Sequence, residues 1–409
     1  MANFVRPIVS GVSTMSARIH TVDTASDGSI TVTLKDHCLN VLEHTGQNLW
    51  TFDLEGRLVG MYVDGVNTRR TLDNRFFSKL RETEKGNSLR TVRSMLPELA
   101  RPLLDRGRYL LFEVRGELPV EVRRTVDRAI RFDTAELERD GQRFSRIYLP
   151  ITILPPDQYM ALVLQVTEGC SYNQCLFCQF YRDRPFRMKS LDEVERHLSG
   201  VRQFFGLGLK LRRSIFLADA NAMVIPQDRL LPTLDLVNRF FPEFGHLYSF
   251  IDIFTGIKKS AEDFSQLKSR GVTRLYLGVE SGNQDLLTLL RKPQEVSDVI
   301  RLSRNIRAGG IHLGLIFLIG AGGGPYHDRH LEDSVRLIRE ISPGPGDMIY
   351  LSEFYETPPE YQEALEREDI LPPGRAQIRN MADEFKSRVK ESVPEGVAVP
   401  LYDIHQLFY

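Results

Sequence analysis

The sequence predicts an α/β fold, in which a partial (β/α)6 barrel of the TIM type follows an N-terminal α+β extension. Apolar segments and helical segments alternate six times between residues 158 and 356. Such repeats form parallel strands joined by right-handed crossovers. Six repeats fall short of the eight that close a full barrel. The residues on either side define an N-terminal domain, 1–150, and a C-terminal helical extension, 357–409, that ends in an extended segment.

Composition limits the classes of protein to consider. The chain has 409 residues, enough for two or three domains or for one large α/β domain with extensions. Its hydrophobic content of 42% and charged content of 26% exclude a disordered or fibrous protein. A net charge of -1 disfavours nucleic-acid binding but leaves a local basic patch open. No apolar stretch is long enough to span a membrane, and residues 1–7 lack the features of a signal peptide, so we expect a cytoplasmic protein.

The N-terminal domain shows two patterns. Strand-like alternation over residues 30–34 and 49–62 predicts a small β-ribbon. From about residue 72 to residue 131 the pattern becomes helical, with many arginines between the leucines. These arginines alternate with acidic residues and predict a solvated helical face, with an anion-binding surface as the alternative. Residues 149–156 contain three prolines and are predicted to form a linker.

The barrel repeats are read from apolar runs and helical periodicity. The predicted strands are residues 160–166, 214–218, 248–253, 274–279, 312–319 and 348–354. The predicted helices between them are residues 191–204, 228–240, 261–269, 296–308 and 331–341. Ser190 and Glu193 predict a capping box at the first of these helices. Gly271 and the pair Gly309-Gly310 lie where helices should end, because glycine tolerates a left-handed C-terminal conformation.

Cysteine usage gives the strongest chemical signal. Cys170, Cys175 and Cys178 fall within nine residues after the first predicted barrel strand, whereas Cys38 stands alone as a predicted buried hydrophobe. Four cysteines are too few for a disulfide framework and favour metal or redox use in a reducing compartment. An iron–sulfur cubane normally takes four thiolates, so three would leave one iron open to a substrate or cofactor. A zinc site, an electron-transfer cluster and three unligated core cysteines are the alternatives, and the first two would need a fourth ligand.

This segment resembles the radical S-adenosylmethionine (radical SAM) superfamily, whose members bind a [4Fe–4S] cluster through three cysteines in the loop after the first strand of a partial barrel. Phe177 matches the aromatic position of the family pattern Cys-x3-Cys-x-aromatic-Cys, although the first gap in this chain holds four residues. The resemblance covers about residues 158–356. The stretch that follows Cys178 is similar to a poorly characterised subset related to the coproporphyrinogen-dehydrogenase and Elongator-like groups.

The resemblance implies S-adenosylmethionine (SAM) contacts after the second and fifth strands. Asp219 and Asn221 would hold the methionine amino end, with a turn or helix cap as the alternative role for Asp219. Ile319 and Gly320 would let the adenine lie against the backbone of the fifth strand.

It also implies contacts after the fourth strand. Glu280, Ser281 and Asn283 match the family's Gly-Val-Glu-Ser segment, whose side chains contact the ribose and the methionine. Arg291 would pair with the SAM carboxylate or form a surface salt bridge.

The implied activity is reductive cleavage of SAM to a 5′-deoxyadenosyl radical that abstracts hydrogen from a substrate. An electron donor such as flavodoxin or ferredoxin would reduce the cluster, and the substrate would be a small molecule or a modified biomolecule. Glu353 and Tyr355 are our catalytic candidates at the barrel mouth. Further candidates near strand ends are Tyr181, Arg182, Arg184, Asp252, Lys258, His312 and His330.

Two other functions compete with this one. The chain could be a non-catalytic iron–sulfur or SAM-binding protein whose N-terminal domain recognises a partner, and formation of 5′-deoxyadenosine distinguishes that protein from an enzyme. It could also be a radical SAM enzyme that modifies RNA. The sequence shows no basic surplus, second cysteine cluster or evident RNA-binding barrel, and these features disfavour RNA modification.

Overall fold

The computed structural model describes residues 17–24, 28–84, 87–355, 358–404, 407 and 409, with no side chains described over 79–92. The prediction made for residues 1–7 lies outside this range. The described chain forms two compact units. The first comprises the residues up to Arg146 together with Phe204–Leu211 and Tyr409, and the second comprises Ile147–Gln203 and Arg212–Leu407.

The first unit contains an eight-stranded antiparallel sheet whose strands follow chain order. The strands are β1 (Arg18–Asp23), β2 (Ser29–Leu34), β3 (Cys38–Glu43), β4 (Asn48–Asp53), β5 (Leu58–Val63), β6 (Val66–Arg70), β7 (Phe76–Glu84) and β8 (Asn87–Met95). The predicted ribbon is therefore part of a larger sheet. The helical prediction was wrong over β7 and β8, which pair continuously from Phe76 with Met95 to Glu84 with Asn87. Cross-strand pairing outweighs the helical propensity of the Arg and Glu residues in this segment.

Three helices follow the sheet: α1 (Pro97–Val114), α2 (Val120–Arg131) and α3 (Thr134–Ile147). They confirm the helical prediction for residues 97–131. The sheet and α1 pack around Trp50, which is fully buried and donates its indole N–H to the carbonyl of Leu103 at 2.8 Å. A Cβ at Gly107 would lie 2.6 Å from the Trp50 ring, so only glycine allows this close approach of helix to ring.

A buried ionic network joins the sheet to α3. Asp140 is fully buried and accepts the guanidinium of Arg57 at 2.9 Å and that of Arg70 at 3.5 Å. Asp53 approaches the same Arg57 at 3.5 Å and accepts the backbone N–H of Arg57 at 2.9 Å. Because the charges are out of water, removal of one partner leaves a costly unpaired charge.

The second unit contains a seven-stranded parallel sheet in the order β17-β16-β15-β14-β13-β12-β9, and a two-stranded ribbon of β10 and β11. The strands are β9 (Leu162–Gln165), β10 (Thr167–Glu168), β11 (Arg187–Met188), β12 (Ile215–Ala218), β13 (Leu247–Ile251), β14 (Val272–Glu280), β15 (His312–Ile319), β16 (Met348–Glu353) and β17 (Leu401–Tyr402). The six predicted barrel strands are confirmed to within a few residues. The short β17 extends the open edge by pairing with β16. This architecture confirms the predicted partial barrel.

Helices separate and follow these strands. They are α4 (Leu191–Phe205), α5 (Gln227–Phe240), α6 (Ile253–Gly256), α7 (Ala261–Lys268), α8 (Gln284–Leu289), α9 (Val296–Ala308), α10 (Gly323–Ile341), α11 (Pro359–Arg367) and α12 (Arg375–Lys390). Ser190 and Glu193 form the predicted capping box, with reciprocal bonds of 2.8 and 3.3 Å. Helix α10 begins eight residues before its predicted start, because Gly322 adopts a left-handed φ of 74° that turns the chain directly into the helix.

No helix within the described ranges is both long enough and apolar enough to cross a membrane.

We predict that Asp140→Asn destabilises the first unit by about 3–5 kcal/mol, because it removes the buried carboxylate that pairs with Arg70 and one of the two that pair with Arg57. Unfolding in urea, followed by fluorescence of the single tryptophan, Trp50, measures this change within the first unit. Asp105→Asn is the matched control, since Asp105 forms an exposed ion pair with Arg108 at 2.9 Å, and its loss should cost less than about 1 kcal/mol. Equal losses in both variants would contradict the prediction.

Candidate functional site

A cavity of about 430 Å³ lies at the carboxyl ends of the barrel strands. Residues at or just beyond the ends of β12 to β16 line it, together with the cysteine loop between β10 and β11. Aromatic side chains form much of the wall, among them Tyr172, Phe250, Phe254, Tyr276, Phe354 and Tyr402. Active sites of barrels of this type lie at this end of the strands.

The cysteine loop is closed at its base by the ribbon of β10 and β11. Thr167 pairs with Met188, and Arg187 binds the carboxylate of Glu168 at 2.6 Å. Gly169 begins the loop with a left-handed φ of 71°, and a Cβ there would lie 2.8 Å from the carbonyl of Pro185. Glycine is therefore required directly before Cys170.

Asp219 anchors the start of this loop. Its buried carboxylate accepts the backbone N–H of Gly169 at 3.1 Å, the amide of Gln165 at 2.9 Å and the guanidinium of Arg184 at 3.3 Å. Asp219 does not line the cavity, so the structure does not place it against a ligand there. These contacts are those of a structural residue, which was the alternative role for Asp219. Its carboxylate binds a loop rather than the end of a helix.

Cys170, Cys175 and Cys178 all line the cavity. Burial, together with repulsion from the neighbouring thiolates, raises the pKa of Cys175 to about 12 and that of Cys178 to about 11. Three adjacent thiolates therefore need a strongly cationic partner. No group of three or more His, Cys, Asp or Glu among the described residues could hold a single metal ion. Thiolates are the ligands of iron–sulfur clusters, and each of these three would bind a different iron.

Glu280 and Lys292 form an ion pair beside the thiols. Lys292 Nζ lies 3.0 Å from the Glu280 carboxylate and 5.7 Å from the centre of the Phe177 ring. Burial lowers the pKa of Lys292, but the charges of Glu280 and Cys175 raise it overall, so the ammonium is retained. The predicted cation, Arg291, is exposed and does not line the cavity. Lys292, the next residue, lines the cavity instead, and the sequence alone does not fix the direction of either side chain.

Asn221 brings an unsatisfied acceptor to the cavity. Its side-chain N–H₂ donates to Asp252 and, at 3.0 Å, to Thr255, whereas its Oδ1 has no hydrogen-bond partner although the residue is buried. An unpaired buried acceptor costs about 1–3 kcal/mol, so a ligand with an N–H donor would stabilise this site. The ammonium group of SAM has the required chemistry.

Some of the predicted site residues line this cavity, and others do not. The predicted residues that line it are Cys170, Cys175, Cys178, Phe177, Asn221, Glu280, Glu353 and Tyr355. Tyr181 and Asp252 from the wider candidate set also line it. The predicted residues that do not are Asp219, Ser281, Asn283, Arg291, Ile319 and Gly320, together with Arg182, Arg184, Lys258, His312 and His330 from the wider set.

Ser281 and Asn283 have structural contacts instead. The pairing of β14 with β15 shifts register between Gly278 and Glu280, and Glu280 takes a positive φ of 60°. This bulge directs Glu280 to the cavity, while Ser281 lies 2.7 Å from His330 within the fold. Asn283 caps α8 by accepting the N–H of Leu286 at 2.9 Å.

The course of β15 explains why Ile319 and Gly320 do not line the cavity. Ile316 and Leu318 of β15 face the cavity, so Ile319 falls on the opposite side of the strand. A Cβ at Gly320 would lie 2.9 Å from Ile378 of α12, away from the cavity. His312 lies at the opposite end of the same strand, 3.7 Å from Asp347.

Comparison with known proteins finds a family match within the second unit. Residues 164–338 match the family described as the Radical SAM superfamily. The match confirms the resemblance noted in the segment that carries the three cysteines. The match also supports the expected [4Fe–4S] cluster and SAM. No curated protein sequence matches the chain significantly.

Solved structures of radical SAM proteins resemble the chain at low sequence identity. Coproporphyrinogen III oxidase (HemN) from Escherichia coli gives a TM-score of 0.45 at 15% identity, covering 61% of this chain and 56% of its own. Elp3 from Methanocaldococcus infernus gives a TM-score of 0.37 at 15% identity, covering 59% of this chain and 56% of its own. The methyltransferase TsrM from Kitasatospora setae, with cobalamin and a [4Fe–4S] cluster bound, gives 0.42 at 13% identity, with coverages of 59% and 54%. The chain thus spans just over half the length of these structures.

We predict that Asp219→Asn loosens the start of the cysteine loop. The amide cannot accept from Gly169 and Arg184 as the carboxylate does, so the Gly169 N–H should exchange with solvent roughly 10–100 times faster. Hydrogen exchange of the segment around Gly169, followed by mass spectrometry, measures the effect. Asp183→Asn is the matched control, because the exposed Asp183 binds the same Arg184 at 3.0 Å without touching the loop start. Unchanged exchange in Asp219→Asn would remove the anchoring role.

Proposed function

We propose that this chain is a radical SAM enzyme that binds a [4Fe–4S] cluster through Cys170, Cys175 and Cys178. The observation that carries the proposal is the convergence of three thiols on one cavity at the carboxyl ends of the strands of a radical SAM domain. When bound and reduced, the cluster and SAM supply a 5′-deoxyadenosyl radical that abstracts hydrogen from a substrate. The protein contributes binding, orientation and exclusion of solvent.

The cavity residues have complementary roles toward SAM. The free Oδ1 of Asn221 accepts from the ammonium group, and Lys292 attracts the carboxylate while it remains paired with Glu280. Both groups lie on the same cavity as the thiols. Asn221 and Lys292 would therefore hold the methionine end of SAM beside the thiols.

The aromatic wall protects the chemistry. Rings such as Phe250, Phe254 and Tyr276 cover the cavity with apolar surface and few exchangeable donors. A reactive carbon radical attacks the hydrogen donors that it meets, so a wall that excludes water and loose solutes directs it to the substrate.

Glu353, the last residue of β16, and Tyr355, two residues further on, line the cavity and are our candidates for contact with the substrate, a small molecule or a modified biomolecule. A flavodoxin or ferredoxin would supply the electron, in the cytoplasm. We propose no role for the N-terminal unit in the chemistry.

We predict that alanine at Cys170, Cys175 or Cys178 abolishes the cluster, because each thiolate binds a different iron. The protein reconstituted without oxygen should hold about four irons per chain and each variant far fewer. Iron and sulfide analysis measures cluster content, and 5′-deoxyadenosine formed from SAM after dithionite reduction measures cleavage.

Cys38→Ala is the matched control for these variants. Cys38 is buried in the first unit, outside the cavity, so its loss should leave both iron content and SAM cleavage unchanged. A cluster that survives in Cys175→Ala, or bound zinc in place of iron, would refute the proposal. A full cluster without SAM cleavage would favour the non-catalytic binding protein.

We predict that Asn221→Ala weakens SAM binding roughly 10–100-fold, since a charge-assisted hydrogen bond is lost. Equilibrium dialysis of SAM against reconstituted protein measures the affinity, and iron analysis confirms that the cluster is retained. Asn67→Ala, on the exposed surface of β6, is the control and should bind SAM as the wild type does. Equal affinities in the two variants would exclude Asn221 from the SAM site.

A further inference from the structure

The cysteine loop is one residue longer than the family pattern, because four residues rather than three separate Cys170 from Cys175. Of these four residues, only Asn173 has a left-handed backbone, with a φ of 52°. Asparagine is among the few residues other than glycine that adopt this conformation readily. A left-handed residue turns the chain sharply, so Asn173 is the point at which the longer loop bends.

The side chain of Asn173 ties this bend to the returning arm of the loop. Its Nδ2 donates to the carbonyl of Tyr181 at 2.9 Å, beyond the last of the three cysteines. Tyr181 is buried, and its carbonyl also accepts the backbone N–H of Arg184 at 3.4 Å. The conformation of Asn173 is therefore supported by a contact outside the bend itself.

The backbone N–H of Asn173 donates to a cysteine sulfur. The nitrogen lies 3.4 Å from Sγ of Cys170. The sulfur of Cys178 accepts a different backbone N–H, that of Phe180. Cys170 thus receives its hydrogen bond from the residue whose backbone is left-handed, so the bond depends on the φ of Asn173 and on the contact that supports it.

A hydrogen bond to a sulfur ligand raises the reduction potential of an iron–sulfur cluster, because it stabilises the more negative, reduced form. We propose that Asn173 is a positioning residue that raises the reduction potential of the cluster by holding its backbone N–H against the Cys170 sulfur. The proposal rests on the proposed binding of a cluster by the three cysteines and assigns a role to a residue that does not line the cavity. A higher potential makes the cluster easier to reduce by a flavodoxin or ferredoxin.

The test measures the reduction potential of the reconstituted cluster without SAM, by redox titration followed by electron paramagnetic resonance. Asn173→Ala keeps a backbone N–H but removes both the left-handed preference and the bond to Tyr181. We expect about tenfold less reduced cluster at a given applied potential, which corresponds to a potential about 59 mV more negative. Asn173→Gly tolerates the left-handed φ and loses only the side-chain bond, so its potential should lie between those of the wild type and Asn173→Ala.

Gln174→Ala is the matched control. Gln174 is the next residue of the same loop, is exposed and has no left-handed φ, so its variant should keep the wild-type potential. Iron and sulfide analysis accompanies each titration, so that potentials are compared between fully loaded chains. If Asn173→Ala does not hold the cluster, the same comparison is made with Asn173→Gly.

A fully loaded Asn173→Ala with the wild-type potential would overturn the proposal, as would an equal shift in Gln174→Ala. If only Asn173→Gly holds the cluster, an unshifted potential in that variant would overturn it. These results would leave the proposed function intact, because the cluster itself is present. A wild-type chain that binds no cluster would instead refute both the proposed function and the role of Asn173.

Discussion

The carboxylate of Asp219 is the constraint on which the candidate site depends. It connects three parts of the second unit: the end of β9 through Gln165, the start of the cysteine loop through Gly169, and the far side of that loop through Arg184. The loop carries three thiols whose charges repel one another, so it does not gain order from the thiols alone. A buried acceptor that draws several donors to one point fixes the backbone from which Cys170 projects. The cavity walls then complete the site.

The sequence predicted the features that local pattern determines. Apolar periodicity placed the barrel strands, and spacing alone selected Cys170, Cys175 and Cys178 as a set. The sequence does not indicate the direction of a side chain where that direction depends on a neighbouring strand. The register shift at the end of β14 directs Glu280 into the cavity and Ser281 away from it, and the sequence contains no signal of that bulge. Similarly, the choice between Arg291 and Lys292 depends on one turn of backbone after α8.

In the N-terminal unit, too, the conformation of a segment depends on the strands with which it pairs. Strands β7 and β8 are rich in charged residues with good helical propensity, and their conformation is decided by pairing with each other and by the pairing of β7 with β6. Several arginines of the helical segments that follow form ion pairs with acidic side chains, such as Arg115 with Asp127 and Arg101 with Glu138. These exposed pairs agree with the solvated helical face that the alternating charges predicted.

A positive charge is maintained where thiolates must form. Burial raises the pKa of Cys175 and Cys178, and Lys292, which also offsets Glu280, opposes that rise. A ligand that carries both a carboxylate and an ammonium group would therefore be held beside the thiols, where Lys292 and the free acceptor of Asn221 lie.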